Sequence, residues 1–326
     1  VCGAPNIKSD IHVPVAAIGS ELNNGDFKIK KTKIRGVVSH GMICSGRELT
    51  YNDDHEGILI LDTDEKLGTP IDNILSFCED VTFDIDLTPN RGDCLSHLGV
   101  ARELGIITNQ DIIRRDFKLE EDGDKTANVI TVNIDKLDAC PRYAARVIKG
   151  VKVSSSPKWL IERLGSIGLS SINNVVDAAN YVLMDSGHPM HTFDLGKITG
   201  NTINVRYAKK GEKFTCLDEV ERELDVYHLL ICDNEKPVAL AGIMGGLNSE
   251  ITEYTTDILL ESAYFNPTVI RKGAKALDLS TEASRRFERD TDIEGIITAI
   301  DQLAYLISKL AGGTVLVGVV DNYTHI

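Results

Sequence analysis

Residues 88–105 read TPNRGDCLSHLGVARELG, a turn, a capping residue and an apolar-periodic run in one short block. Asp93 stands where a helix cap is wanted, and Leu95, Leu98, Val100, Ala101 and Leu104 recur at the spacing of one helical face. The reading is a docked helical block over 88–115. On its N-terminal side the pattern is different. Short β-branched runs, HVPVAAIG, FKIKKTKIRG, GILILD and VTFDIDL, are punctuated by Gly, Asn and Asp, the rhythm of a small barrel. On its C-terminal side, Asp116 to Asn128 is acidic, without apolar period, and reads as a loop or linker.

Beyond 128 the runs VITVNI and YAARVIKGVKV predict strands, Ser156-Pro157 opens a helix ending at Gly168, and Ile172 to Asp185 carries Val175, Val176, Ala179, Val182 and Leu183 at helical spacing. Strand-like INVRYA, EKFTCL, LLICD, VALAGIMGG and DILLESAYF follow, and a last helix from Ile293 through Ile300, Leu303 and Ile307 to Leu310 stops at Gly312-Gly313. The expected fold class is multidomain α+β. A partial β-barrel occupies 1–87, a helical connector and linker 88–128, and a larger mixed α/β domain 129–326.

With 326 residues, 42% of them hydrophobic, the chain can build more than one core without disulfide or metal staples. Its net charge of −14 excludes a surface that coats nucleic acid indiscriminately, so any RNA contact has to be local. Seven cysteines, at 2, 44, 78, 94, 140, 216 and 232, include no C-x-x-C pair, which fits reduced thiols in a cytoplasmic protein rather than a zinc or redox site. No apolar run long enough for a membrane span and no signal peptide is visible. The start at Val1, without methionine, is expected of a piece of a longer polypeptide.

Lys28, Lys30, Lys31, Lys33 and Arg35 crowd into one stretch of this acidic chain. They fit either a phosphate-tracking strand or an edge strand that lysines protect from aggregation. Glu261, in LLESAYF, is a carboxylate in an apolar run, either a buried acceptor or a strand-end partner for an arginine. Thr281 reads as a helix cap, with Arg285, Arg286 and Arg289 as the solvated face behind it. His191 follows Pro189-Met190 in a predicted loop, where a lone histidine is commonly a structural hydrogen-bonder. Gly245 and Gly246 let backbone N–H groups approach a ligand, as any tight turn does. No Ser-His-Asp order, reactive cysteine or metal cluster is spelled out near these blocks.

The spelling of these blocks is narrower than their physics. CGAPN (2–6), KIKKTKIRG (28–36) and SHGMICSGREL (39–49) resemble a tRNA-binding OB domain. TPNRGDCLS, then ACPRYAARVIKGVKV (139–153), INNVVDAANYVLMDSGHPMHTFDL (172–195), ALAGIMGG (239–246), LLESAYFNP (259–267) and STEASRRFERDTD (280–292) resemble, in that order, the beta subunit of bacterial-type phenylalanyl-tRNA synthetase. The resemblance spans essentially the whole chain. It implies an OB-like barrel whose first strand precedes Val1 and an editing domain that hydrolyses mischarged tyrosyl-tRNA(Phe). It further implies tRNA binding through Lys28, Lys30, Lys31, Lys33 and Arg35, and pairing with a catalytic alpha subunit in a heterotetramer of two alpha and two beta chains.

By the same resemblance Glu261 accepts the tyrosine hydroxyl, His191 and Thr281 position the ester and water, Ala283 leaves room for the ring, and Gly245 and Gly246 approach the carbonyl. Ser170 stands where relatives commonly carry an arginine at the site. Asp290 replaces a usual glycine, and Asp218-Glu219 a usual D-G turn. ATP and magnesium belong to the whole synthetase and not to this piece. The other function carried forward is a non-catalytic scaffold that braces the assembly and holds RNA.

Overall fold

The computed structural model describes residues 2–22, 27–52, 54–75, 81–114 and 117–324; Cys78 and Asp116 of the sequence reading lie outside them. The chain divides into two units, Val1–Val81 and Thr82–Ile326.

In the smaller unit, strands β1 (Val15–Ala17), β2 (Glu21–Leu22), β3 (Phe27–Lys28), β4 (Thr32–Ile34), β5 (Val37–Ser39) and β6 (Gly41–Ile43) pair as β1–β6, β2–β3 and β4–β5. Each ladder has two strands. Ala16, Leu22, Ile29 and Cys44 form its buried apolar cluster. The basic stretch is not one strand. Ile29 turns inward, exchanging backbone hydrogen bonds with Gly19 and Ser20 at 2.9 Å each, and this breaks the run between β3 and β4. Arg35 and Gly36, at φ 51° and 83°, then make the left-handed turn that joins β4 to β5.

The larger unit opens with α1 (His97–Thr108) and a short α2 (Thr126–Val129). The cap of α1 is Ser96, whose Oγ accepts from the Gly99 N–H at 2.9 Å, not Asp93. Asp93 sits in a preceding tight turn, paired with Arg91, and is therefore one turn too early to cap. Leu104 is 53% exposed, so the buried face of α1 is narrower than its apolar spacing. The acidic linker is docked. Asp122 and Thr126 donate backbone bonds to Val315 and Val317, both at 2.9 Å, and Glu121 pairs with Arg146.

The strands and helices that follow are β7 (Thr131–Ile134), β8 (Arg142–Lys149), α3 (Lys158–Gly165), α4 (Val176–Ser186), β9 (Met190–Asp194), β10 (Thr202–Tyr207), β11 (Glu212–Thr215), β12 (Glu221–Leu224), β13 (Leu229–Cys232), β14 (Pro237–Leu240), β15 (Met244–Gly245), β16 (Asp257–Tyr264), α5 (Pro267–Ala276), α6 (Glu282–Phe287), α7 (Ile296–Leu310), β17 (Thr314–Val315) and β18 (Val320–Tyr323). Two five-stranded sheets result, β15-β14-β13-β10-β7 and an antiparallel one ordered β17-β8-β16-β9 with β18 also on β8. In β8, seven of eight residues are buried, as expected of a strand covered on both faces.

Strand alternation sorts the layers. Ala144 and Ile148 of β8 and Ile258 and Leu260 of β16 face α4 and α7, which contribute Ala178, Val182, Ile296, Ile300, Leu303 and Ile307. Tyr143, Ala145, Val147, Leu259, Ala263 and Phe193 face the other way, into the core shared with β10, β13 and β14. Glu261 belongs to this second face by parity.

Candidate functional site

Glu261 is placed by the register of three strands. Across β16 it stands opposite Ala145 of β8 on one side and His191 of β9 on the other, so the three side chains share one face. His191 is thus on a strand, not in the loop expected after Pro189, because Met190–Asp194 alternates and completes the sheet edge. Glu261 is 6% exposed and, among the described residues, has no arginine partner. Instead the Tyr143 hydroxyl donates to its Oε2 at 2.7 Å. Burial pushes the carboxyl up to about 7, against the pull of that hydrogen bond downward. Tyr143 itself is wholly buried, and that burial, with the neighbouring carboxylate adding to it, drives its phenol well above the ordinary value.

His191 is partly buried, its ring edge-on to Phe193 with centroids 4.4 Å apart. Desolvation pushes it down to about 4, so the imidazole is neutral near pH 7 and a weak base. Gly245 packs directly on it. A Cβ at that position would come within 2.5 Å of Cε1 and 2.9 Å of Nε2 of His191. The Gly246 N–H, in contrast, is donated to the Val238 carbonyl at 2.9 Å, and a Cβ there would meet that same oxygen at 2.5 Å.

Thr281 caps α6. Its Oγ1 accepts from the Ser284 N–H at 3.0 Å and donates to the Ile243 carbonyl at 2.8 Å, while Ser284 Oγ accepts from the Thr281 N–H at 2.9 Å. The hydroxyl thereby ties α6 to the segment that carries Gly245. Ala283, in the first turn of α6, packs against the same core as Tyr143 and Phe193. Arg286 is not part of a solvated face. It is 6% exposed, donating from Nε to the Leu95 carbonyl at 2.9 Å and from a terminal nitrogen to Glu282 at 2.7 Å, which docks the 88–105 block onto α6.

The structure therefore brings Glu261, His191 and Gly245 together, with Thr281 and Ala283 joined to them through Ile243 and the common core. Ser170 is not among them. It is exposed between α3 and α4, and α4 covers the opposite face of the sheet. Lys28, Lys30, Lys31, Lys33 and Arg35 are all exposed in the smaller unit, with Lys28 held by Glu21 at 2.7 Å. Tyr143 is the residue that sequence reading passed over. Its only signal was parity, since Tyr143, Ala145 and Val147 alternate on one face of β8.

Among the described residues, Asp93, Cys94 and Glu103 form the one group of such side chains close enough to share a cation. The Arg91 guanidinium already donates to all three and holds Asp93 down to about 2. No described helix is long and apolar enough to cross a membrane.

Residues 139–312 match the family model of the B3/4 domain, and residues 1–70 that of a putative tRNA binding domain. The chain belongs to the B3/4 domain family. It is 50% identical over 323 residues to the phenylalanine--tRNA ligase beta subunit of Geobacter sulfurreducens, with 99% of this chain and 40% of the relative covered. The same coverage holds for the beta subunits of Geobacter metallireducens, at 50% identity, and Syntrophotalea carbinolica, at 48%. The resemblance read from the motifs is thus to the same subunit as these relatives, and the chain spans about two-fifths of their length. A crystal structure of an N-terminal fragment of the phenylalanyl-tRNA synthetase beta subunit from Pyrococcus horikoshii aligns with a TM-score of 0.42 at 16% identity, covering 72% of this chain and 65% of that one.

Proposed function

We propose that the chain is the tRNA-binding and editing part of a phenylalanine–tRNA ligase beta subunit, hydrolysing tyrosyl-tRNA(Phe). The observation that carries this is Glu261: a carboxylate in an apolar core, with no cation paired to it among the described residues, opposite a neutral histidine. The need for such a site is physical. An apolar synthetic pocket rejects a substrate that merely adds a hydroxyl by only about a hundredfold. A second pocket that hydrogen-bonds the phenol reverses the preference, since a phenylalanyl ring leaves the acceptor unpaired.

In this reading the tyrosyl phenol donates to Glu261, Ala283 leaves space for the ring, and Gly245 lets the His191 imidazole pack close. His191, too weak a base to drive proton abstraction near pH 7, orients the ester or water by hydrogen bonding. Thr281, whose hydroxyl is engaged by Ile243 and Ser284, acts by holding α6 against Gly245. The exposed cations of the smaller unit track tRNA phosphates. In the whole ligase the chain would pair with an alpha subunit, in the cytoplasm, with ATP and magnesium used outside this piece.

The test is deacylation of tyrosyl- and phenylalanyl-tRNA(Phe) by the full chain and by Glu261→Ala. Loss of a hydrogen bond to a charged acceptor, roughly 1.5–3 kcal/mol, should cut the tyrosyl preference about ten- to a hundredfold. Unchanged discrimination removes Glu261 from the role. The scaffold reading has one observation in its favour, the engagement of both the Thr281 hydroxyl and the Gly246 N–H within the protein. No turnover above buffer would leave that reading standing alone.

A further inference from the structure

Glu261 has two oxygens, and the protein uses one. Oε2 accepts from Tyr143 at 2.7 Å, whereas no hydrogen bond reaches Oε1 among the described residues. The residue keeps a 6% opening, and Oε1 is not among the fully enclosed polar atoms that lack a partner. The register explains how Tyr143 comes to reach the carboxylate. Tyr143 pairs with Ala263, which places it diagonally from Glu261, within reach of a long aromatic side chain. Directly opposite Glu261, β8 presents only the methyl group of Ala145.

We infer that Tyr143 is a positioning residue: its phenol anchors Glu261 through Oε2, so that Oε1 is presented to the phenol of an incoming tyrosyl ester. The inference rests on the editing reading given above. Anchoring does two things. It fixes a side chain with three rotatable bonds in one orientation, and it favours the ionised carboxylate, which accepts a phenol more strongly than a protonated carboxyl does. Burial opposes the second effect and would otherwise leave Glu261 protonated. The titratable groups around Glu261 are Tyr143 and Cys140, both buried on the β8 side, and His191 on β9, whose neutrality leaves Tyr143 as the group that sustains the charge. Tyr143 also answers the question of what Glu261 does when no substrate is present, since one oxygen is satisfied permanently.

The experiment uses the full chain with Tyr143→Phe, which removes a single oxygen from a packed ring, alongside Glu261→Gln and the double variant. Two readouts are taken: titration of the Glu261 carboxyl by carbon NMR, and the ratio of tyrosyl- to phenylalanyl-tRNA(Phe) deacylation across pH. In Tyr143→Phe the Glu261 midpoint should rise by about one to two pH units, and the tyrosyl preference should fall about tenfold at neutral pH and recover in alkali. On the Glu261→Gln background, Tyr143→Phe should add nothing. An unmoved titration, or a loss of preference equal at every pH, overturns the inference, because the latter is what a simple packing role would give. A shifted titration in a chain whose parent shows no tyrosyl preference instead overturns Glu261 as the phenol acceptor, which separates failure of the editing reading from failure of the anchor.

Discussion

Glu261 and His191 face each other across two strands and titrate in opposite senses. The Glu261 carboxyl is raised from 4.5 to about 7, so the native state holds its proton more tightly than the unfolded chain; this contribution is complete below pH 4.5 and is lost as pH rises through about 7. The His191 ring is lowered from 6.5 to about 4, so its contribution is complete above pH 6.5 and is lost as pH falls through about 4. Between these limits the slopes oppose, and the parent chain should show a shallow pH dependence from this pair. Glu261→Gln should expose the His191 slope, with stability rising from acid toward neutral pH. His191→Asn should expose the Glu261 slope, with stability falling by up to about 3 kcal/mol over the same range. Denaturant unfolding at a series of pH values reads both, and parallel curves for the two variants would contradict the opposition. Neither slope was legible in the sequence, which placed His191 in a loop and could not set it opposite Glu261.

At the scale of the element, two departures noted in the sequence have backbone consequences. Glu219 and Asp290, which the motif resemblance sets where glycine is expected, sit at φ 62° and 73°, a conformation that costs an L-residue roughly 1–2 kcal/mol. They are not equivalent. Asp290 accepts a hydrogen bond from the Tyr264 hydroxyl at 2.8 Å, which offsets its strain, whereas among the described residues no side-chain bond recovers the cost at Glu219. Glu219→Gly should therefore stabilise the larger unit by about 1 kcal/mol while Asp290→Gly stays near neutral, as read by thermal unfolding; equal gains would refute the distinction.

The elements legible in the sequence were those with a long apolar period, such as α7 and β16. In β9 the polar His191, Thr192 and Asp194 leave no apolar run after Pro189, and α1 was misread at its start because Asp93 and Ser96 are both cap-forming residues. Only the hydrogen bond of Ser96 to Gly99 separates them.

On the scale of the whole molecule, the two units differ in what holds them. The larger has two extensive apolar clusters on either face of the β8–β16 sheet, and the smaller rests on Ala16, Leu22, Ile29 and Cys44 with two-stranded ladders. A core of that size contributes little net stability, so calorimetry should resolve two transitions with the smaller unit melting first. A single cooperative peak would show instead that the units stabilise one another.

Composition and local pattern determined the class of this protein, the order of most strands and helices in its second half, and the family whose motifs it carries, because these depend on neighbours in the chain. The juxtaposition of Glu261 with His191, the anchoring by Tyr143 and the packing of Gly245 on the imidazole were decided only by tertiary structure. The first two join residues far apart in the chain through strand register, where a shift of one residue would turn those side chains to the other face of the sheet, and the third joins strands of two different sheets.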